Sequence, residues 1–498
     1  MATNYLDNFY ARLGIPRNAS LDEVQRAYRR AARQFHPDTN KNTGANELFL
    51  LVQEAFDTLQ DVQKRRAYDA TLPEDIDAPP ALMVNALYSR SRITPDQPGQ
   101  VIYVLLDLKP SSTEDERRLK PPLNVALVLD TSTSMAGGRL SQVVKAASQF
   151  MERLAEHDIL SIVTFNDHAQ VVIPAQPGQD IQRLISRIST LHTRGGTEIY
   201  SGLKAGFQEV QRNLRASSIN HIVLITDGRT YGDEAACLAL AEQAAAQGVP
   251  ISAIGIGDEW NEEFIDQLVS KAGGSSIYAD KSAELHSLLE RRLNTLSLTY
   301  ANNVKLSYQN GPMSKLNYVF RLSPDLGPVS LQQPVFLGNV PQDDSLSVLL
   351  EFELDSRGVP GGELTLAEGR LSLDVPSRPI PSNSARFRLT RPIAEDQHPE
   401  APPSALIKAI GKLSLYRMQE RAREELQHGD AQGAAKSMRM LATRLLSQGE
   451  RSLARTVLLA ADDLKGGTAL DEKAGKQIKY GTRALIREDS AQQKRGGR

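Results

Sequence analysis

The sequence predicts a multidomain protein with an all-α N-terminal domain, an α/β doubly wound domain inserted in a β-sandwich, and a C-terminal α-helical bundle. Three observations carry this reading. Apolar residues recur at helical spacing through residues 1–70. Strand-like and helix-like stretches alternate from about 120 to 297, the pattern of a parallel sheet with crossover helices. Short, turn-separated strands lie on both sides of that stretch, at 81–119 and 298–395, before helical spacing returns over 404–488. A chain of 498 residues is longer than one core usually holds, so several domains are expected in any case.

The N-terminal domain is assigned to residues 1–72. Leu21, Val24, Tyr28, Ala31 and Phe35 repeat every three to four positions, as do Leu48, Phe49, Val52, Ala55, Phe56 and Leu59. Two amphipathic helices of this length suit an antiparallel pair. Ser20 and Glu23 form an S-x-x-E capping box that starts the first helix near Leu21. Arg26, Arg29, Arg30 and Arg33 lie on that helix. The loop after it opens with His36-Pro37-Asp38. Pro37 removes a backbone donor and holds His36 extended, so the loop is a stiff, presented element. A Pro-rich joint at 73–80 separates this domain from the rest.

This segment resembles a J domain, the Hsp70-activating module of DnaJ-type co-chaperones. Phe9-Tyr10, Leu13-Gly14-Ile15, Ala27-Tyr28-Arg29 and Phe35-His36-Pro37-Asp38 carry the resemblance, continued by Ala55-Phe56, Leu59, Asp61 and Lys64 to Asp69. It covers residues 5–70, with Val62 standing where the family often has proline. The resemblance implies an Hsp70 (DnaK-type) partner whose ATP hydrolysis is stimulated. His36, Pro37 and Asp38 would be the triggering loop, and Arg26, Arg29, Arg30 and Arg33 the docking face. His36 is then a contact and not a general base.

In the central domain, Asn124–Leu129, Ile159–Phe165, His221–Thr226 and Pro250–Ile256 read as strands. Leu140–Leu154, Ile181–Leu191, Glu198–Leu214 and Glu234–Gln247 read as helices between them. Ligands of such sheets bind at the carboxyl ends of the strands, at the switch point. Asp130 and Asp227 each end a strand. Asp130 opens D-T-S-T-S, which adds Ser132 and Ser134, and a third loop offers Gly195-Gly196-Thr197. The candidate set is all oxygen, which suits Mg²⁺, with Mn²⁺ or Ca²⁺ as alternatives.

The three separated motifs, in this order, resemble a von Willebrand factor A domain with a metal-ion-dependent adhesion site over residues 120–297. The resemblance implies that Ser132, Ser134 and Thr197 coordinate the ion, with Asp130 and Asp227 bound directly or through water. A free position would accept a carboxylate from a protein partner. An A domain whose site is structural or empty is the alternative.

The helices expected over 404–488 contain two similar starts, Gly429-Asp430 and Gly449-Glu450, where each glycine ends one helix and the acid starts the next. Their 20-residue offset is shorter than a tetratricopeptide unit, which favours a small bundle offering a face to another protein. The polar tail 489–498 is expected to be disordered.

Composition narrows the function. With 58 Lys+Arg against 60 Asp+Glu, the net charge of −2 argues against a nucleic-acid binder or a polybasic membrane-surface protein. The single cysteine, Cys237, excludes an intramolecular disulfide, a CxxC site and the zinc modules of some chaperones. No apolar run approaches the roughly 18–20 residues of a membrane span, and the start of the chain lacks a signal-peptide core, so the cytoplasm is the expected compartment. Position 132 is Ser, so the D-x-D pair of haloacid-dehalogenase-type phosphatases is missing. Neither a phosphate loop nor a G-x-S-x-G elbow occurs. The expectation is therefore no enzyme but a co-chaperone whose A domain holds a client. A metal-dependent scaffold, such as an adaptor of an AAA+ ATPase, is the rival reading.

Overall fold

The computed structural model describes residues 9–15, 19–35, 45–69, 81–111, 120–178, 180–228, 230, 232–257, 260–279, 282–359, 361–394, 401–447, 449–466, 475–476 and 478–482. His36-Pro37-Asp38, the joint 73–80 and the tail 489–498 lie outside these residues. The chain divides into two compact units: residues 1–81 grouped with 384–387, and residues 82–383 with 388–498.

The first unit contains helices α1 (Phe9–Leu13), α2 (Leu21–Phe35), α3 (Ala45–Leu59) and α4 (Val62–Asp69). The capping box forms: the Ser20 N–H donates to Glu23 Oε2 at 2.7 Å, and the Glu23 N–H to Ser20 Oγ at 3.3 Å. Val24, Ala27 and Ala31 of α2 pack with Val52, Ala55 and Leu59 of α3 around Tyr10 and Leu13. Leu21, counted on the apolar face by spacing, is 41% exposed because it is the first residue of its helix. Tyr28 stacks on Phe56, their ring centroids 4.0 Å apart. Arg65 ties the end of the unit to its start, donating from Nε to Tyr10 Oη (2.9 Å) and from Nη2 to the Ala19 carbonyl (2.7 Å). Arg26, Arg29, Arg30 and Arg33 are all exposed.

At the centre of the second unit is a six-stranded sheet. Its strands are β3 (Leu123–Asp130), β4 (Ile159–Phe165), β5 (Ala169–Ile173), β6 (Ile219–Thr226), β7 (Ile251–Ile256) and β8 (Ser276–Ala279), ordered β5-β4-β3-β6-β7-β8. Strands β3, β4, β6, β7 and β8 are parallel. The expected all-parallel sheet is modified at one edge: β5 follows β4 after three residues and pairs with it antiparallel, since so short a connection permits only a hairpin. The helices α5 (Arg139–Met151), α6 (Ile181–Ile188), α7 (Ile199–Arg212), α8 (Glu234–Ala246), α9 (Glu262–Lys271) and α10 (Ser282–Ser297) flank it. All eight residues of β3 and of β6 are buried, as expected of central strands covered on both faces. Cys237 is buried in α8.

Two further sheets flank this domain, the first built from residues before and after it and the second only from residues after it. One is ordered β1 (Leu82–Tyr88), β2 (Gln100–Pro110), β13 (Leu346–Leu354), β10 (Ser314–Ser323), β11 (Gly327–Pro328). The other is ordered β12 (Val335–Pro341), β9 (Thr299–Asn310), β14 (Gly362–Asp374), β15 (Ser382–Ile393). The pairing of β2 with β13, Leu108 opposite Leu346, closes the first sheet across the whole α/β excursion. Strand β14 runs unbroken from Gly362 to Asp374, with Gly369 opposite Tyr308 in the ladder.

Buried arginines join the α/β domain to these sheets. Arg292 of α10 donates to Asp325 Oδ2 and to Ser252 Oγ, both at 2.8 Å. Arg321 of β10 reaches the carbonyls of Gly273 (3.2 Å) and Leu337 (3.1 Å). Each arginine is 6% exposed, a burial that these acceptors and the Asp325 carboxylate offset.

Helices α11 (Ser404–Gln427), α12 (Ala431–Ser447) and α13 (Arg451–Lys465) follow. Gly429 and Gly449 take positive φ (78° and 87°) at the two turns. Leu406, Leu413 and Tyr416 of α11 pack with Leu105, Phe320 and Leu349 of the first sheet. The end of the described chain returns to the α/β domain: Lys479 pairs with Glu262 (2.7 Å) and Asp266 (2.9 Å), and Tyr480 stacks on Tyr278. Among the described residues, no helix is long and apolar enough to cross a membrane.

Candidate functional site

Strands β3 and β6 are hydrogen-bonded neighbours with Leu129 opposite Ile225, so Asp130 and Asp227 emerge side by side at their carboxyl ends. The strand order reverses here, β4 lying on one side of β3 and β6 on the other, which makes this the switch point of the sheet. Asp130 is fully buried and Asp227 is 1% exposed. Thr226 Oγ1 donates to Asp130 Oδ2 at 2.6 Å, and the Ser132 N–H donates to Asp130 Oδ1 at 2.8 Å. Ser134 Oγ donates to Asp227 Oδ1 at 2.6 Å and lies 2.8 Å from Ser132 Oγ. Four of the five residues singled out in the sequence thus form one hydrogen-bonded group.

Thr197 reaches the same place from another element. A Cβ built on Gly228, next to Asp227, would stand 3.0 Å from Thr197 Oγ1. Thr197 precedes α7, whose first amides are held by residues of the β6–α8 loop: the Tyr200 N–H donates to Asp233 Oδ2 at 2.7 Å and the Ile199 N–H to Thr230 Oγ1 at 3.4 Å. Helix α7 itself lies tight on the sheet. A Cβ at Gly206 would stand 2.5 Å from Val128 Cγ2, so the absence of a side chain there sets how closely the helix, and with it Thr197, approaches β3.

Burial dominates the electrostatics. It pushes the Asp130 carboxyl up to about 6, with the neighbouring Asp227 charge acting in the same direction against the hydrogen bonds from Ser132 and Thr226. Two buried carboxylates with converging hydroxyls have, among the described residues, only one partly exposed guanidinium, that of Arg139, to balance them, and a hard divalent cation fits such a set. Asp130, Ser132, Ser134, Thr197 and Asp227 are the residues that could hold it. Among the described residues, no cluster of three or more His, Cys, Asp or Glu offers another metal site.

One residue in contact with this group escaped the sequence reading. Arg139 pairs through Nη1 with Asp227 Oδ2 and donates to the Ser134 carbonyl at 3.0 Å. Gly137 and Gly138, with φ of 75° and 99°, turn the chain so that Arg139 starts α5 beside the loop. A signal for it does exist in the sequence. A cation in the first turn of a helix opposes the helix dipole, which points to a nearby anion holding it there.

Residues 124–291 are a von Willebrand factor type A domain and residues 8–69 a DnaJ domain. Residues 404–488 match the Sll0103-like, C-terminal alpha-helical domain. The chain is similar to the uncharacterized protein sll0103 of Synechocystis sp., 29% identical over 396 residues, covering 76% of this chain and 91% of that one. Over 61 residues it is 57% identical to the chaperone protein DnaJ of Streptococcus agalactiae, covering 12% of this chain and 16% of that chaperone. Its fold is similar to a solved von Willebrand factor type A protein from Catenulispora acidiphila, with a TM-score of 0.65 and 15% identity, covering 81% of this chain and 96% of that one.

Proposed function

We propose that this protein is a J-domain co-chaperone that stimulates ATP hydrolysis by a DnaK-type Hsp70 and uses a Mg²⁺-dependent von Willebrand factor A domain to hold a protein client. It is a binding protein and not an enzyme. The observation that carries the reading is the joining, in one chain, of a DnaJ domain to an A domain whose Asp130, Ser132, Ser134, Thr197 and Asp227 gather at one sheet edge. When bound, the ion would supply a Lewis-acidic position for a carboxylate of the client. Asp130 and Asp227 hold the charge, while the hydroxyls of Ser132, Ser134 and Thr197 complete the oxygen set. Exposed Arg26, Arg29, Arg30 and Arg33 suit an acidic docking surface on Hsp70, steering encounter more than adding affinity. His36, Pro37 and Asp38 serve as the trigger loop, and a cytoplasmic location follows from that partnership.

The test has two arms. The full chain is added to a DnaK-type Hsp70 and steady-state ATP hydrolysis is followed; stimulation that is absent, or equal after His36→Gln, overturns the co-chaperone reading. Client capture is compared with Mg²⁺, with EDTA and with Asp130→Ala. Capture indifferent to both changes overturns the metal-dependent reading.

A further inference from the structure

A cavity of about 700 Å³ opens beside the oxygen cluster, between the β4–β5 turn, the end of α6 and the loop that leads to Thr197. Its lining includes Thr131, Asp167, His168, Arg187, His192 and Arg194. The wall is continuous with the oxygen cluster. The Arg194 N–H donates to the Thr131 carbonyl at 2.8 Å, and the Thr133 N–H donates to the Gly195 carbonyl at 3.2 Å. Thr131 and Thr133 are the residues between Asp130, Ser132 and Ser134.

The charge in this cavity is unbalanced. Arg187 and Arg194 are exposed, and neither guanidinium has an ion pair or hydrogen bond among the described residues. The single carboxylate of the lining, Asp167, is already engaged, accepting the Gly196 N–H at 2.9 Å. Two unpaired guanidiniums in a concave wall attract and orient carboxylates, because the planar fork matches them bidentately. No role in the oxygen cluster needs these arginines, since Asp227 already has Arg139.

We propose that this cavity is a second anchor for the protein partner and that it selects an acidic segment. One carboxylate of the segment goes to the ion held at Asp130 and Asp227, and a further carboxylate, a few residues away, enters the cavity between Arg187 and Arg194. The proposal rests on the metal-dependent reading given above and adds the chemistry of the partner: an extended stretch with at least two acids. A partner with one acid satisfies the metal alone and binds more weakly.

The probe is a fluorescently labelled hexaglutamate peptide, titrated into the full chain with Mg²⁺ or EDTA. Binding is followed by anisotropy. Variants are Arg187→Ala with Arg194→Ala, Asp227→Ala, and a control of equal charge, Lys145→Ala with Arg183→Ala, which lies outside the lining. Emission of the lone, buried Trp260 verifies the fold of each. The cavity variant is expected to weaken Mg²⁺-dependent binding about tenfold, as loss of one charge-assisted contact implies, with the control close to the parent. Loss in Asp227→Ala without loss in the cavity variant overturns the second anchor and leaves the metal reading standing. Loss in the cavity variant that ignores EDTA and Asp227→Ala overturns the metal reading and with it the paired anchor. Equal weakening in the control, or no binding by the parent, overturns the proposal as well.

Discussion

Replacing Arg139 by Gln removes the positive charge that Asp227 has in this structure. The carboxylate of Asp227 is fully buried, whereas the Arg139 side chain is 36% exposed. Deleting one member of a fully buried pair costs about 3–5 kcal/mol, because the other charge is left uncompensated. Solvent already screens part of the guanidinium, so about 2 kcal/mol is expected for Arg139→Gln without metal. Under the proposed function, Mg²⁺ would supply the missing charge in the variant and would no longer compete with a guanidinium for Asp227. The destabilisation should then shrink below about 1 kcal/mol in saturating Mg²⁺, since a variant that binds the ion about tenfold more tightly than the parent regains about 1.4 kcal/mol. Urea unfolding followed through Trp260, which is buried within the A domain, isolates this domain in the signal. With a slope of about 2 kcal/mol per molar urea, the midpoint of the variant should fall by about 1 M in EDTA and by much less in Mg²⁺. An equal fall in both buffers would refute the reasoning, because Arg139 would then act only through the Ser134 carbonyl as a loop brace.

Two further outcomes follow from the same packing. His221 of β6 is buried at the joint with the flanking sheets; burial holds its imidazole down at about 3, aided by Arg292 and opposed by Asp325, with Arg321 close by in the same joint. Below its ordinary value of about 6.5 the unfolded chain takes up a proton that the fold refuses, so stability is full above about 6.5 and falls toward 3 by up to about 1.4 kcal/mol per pH unit. Asp130, raised to about 6, contributes a slope of opposite sign over the lower part of this range, so the parent and variant are compared. Between pH 7 and 5 the stability of His221→Gln in urea unfolding should rise with pH less steeply than the parent's, by up to about 1.4 kcal/mol per pH unit, and identical slopes sink the assignment. At the sheet face, Gly206→Leu forces a side chain against Val128, where even a Cβ would stand at 2.5 Å. A loss of about 1–3 kcal/mol is expected from overpacking, along with weaker Mg²⁺ binding by calorimetry as α7 and Thr197 lift away. Metal affinity equal to the parent's would show that α7 does not set the position of Thr197.

Much of this protein is written in local pattern. The capping box at Ser20 and Glu23, the Gly429 and Gly449 helix ends, and the buried runs of β3 and β6 depend on residues close in sequence, so spacing and composition reveal them. Asp130, Ser132, Ser134, Thr197 and Asp227 are also legible, because strand ends of a doubly wound sheet converge by topology alone. Other features depend on distance through space. Ala169–Ile173 as an antiparallel edge is set by a hairpin that the parallel pattern hides. The pairing of β2 with β13 joins residues more than two hundred positions apart, and no local signal encodes that register. The grip of Arg139 on Asp227, the buried Arg292 and Arg321 joint, and the cavity with Arg187 and Arg194 exist only once loops from separate strands meet. The sequence by itself therefore determined which oxygens are available and roughly where they stand. The tertiary structure decided their charge balance, because burial and the distances between opposite charges arise only when the chain is packed.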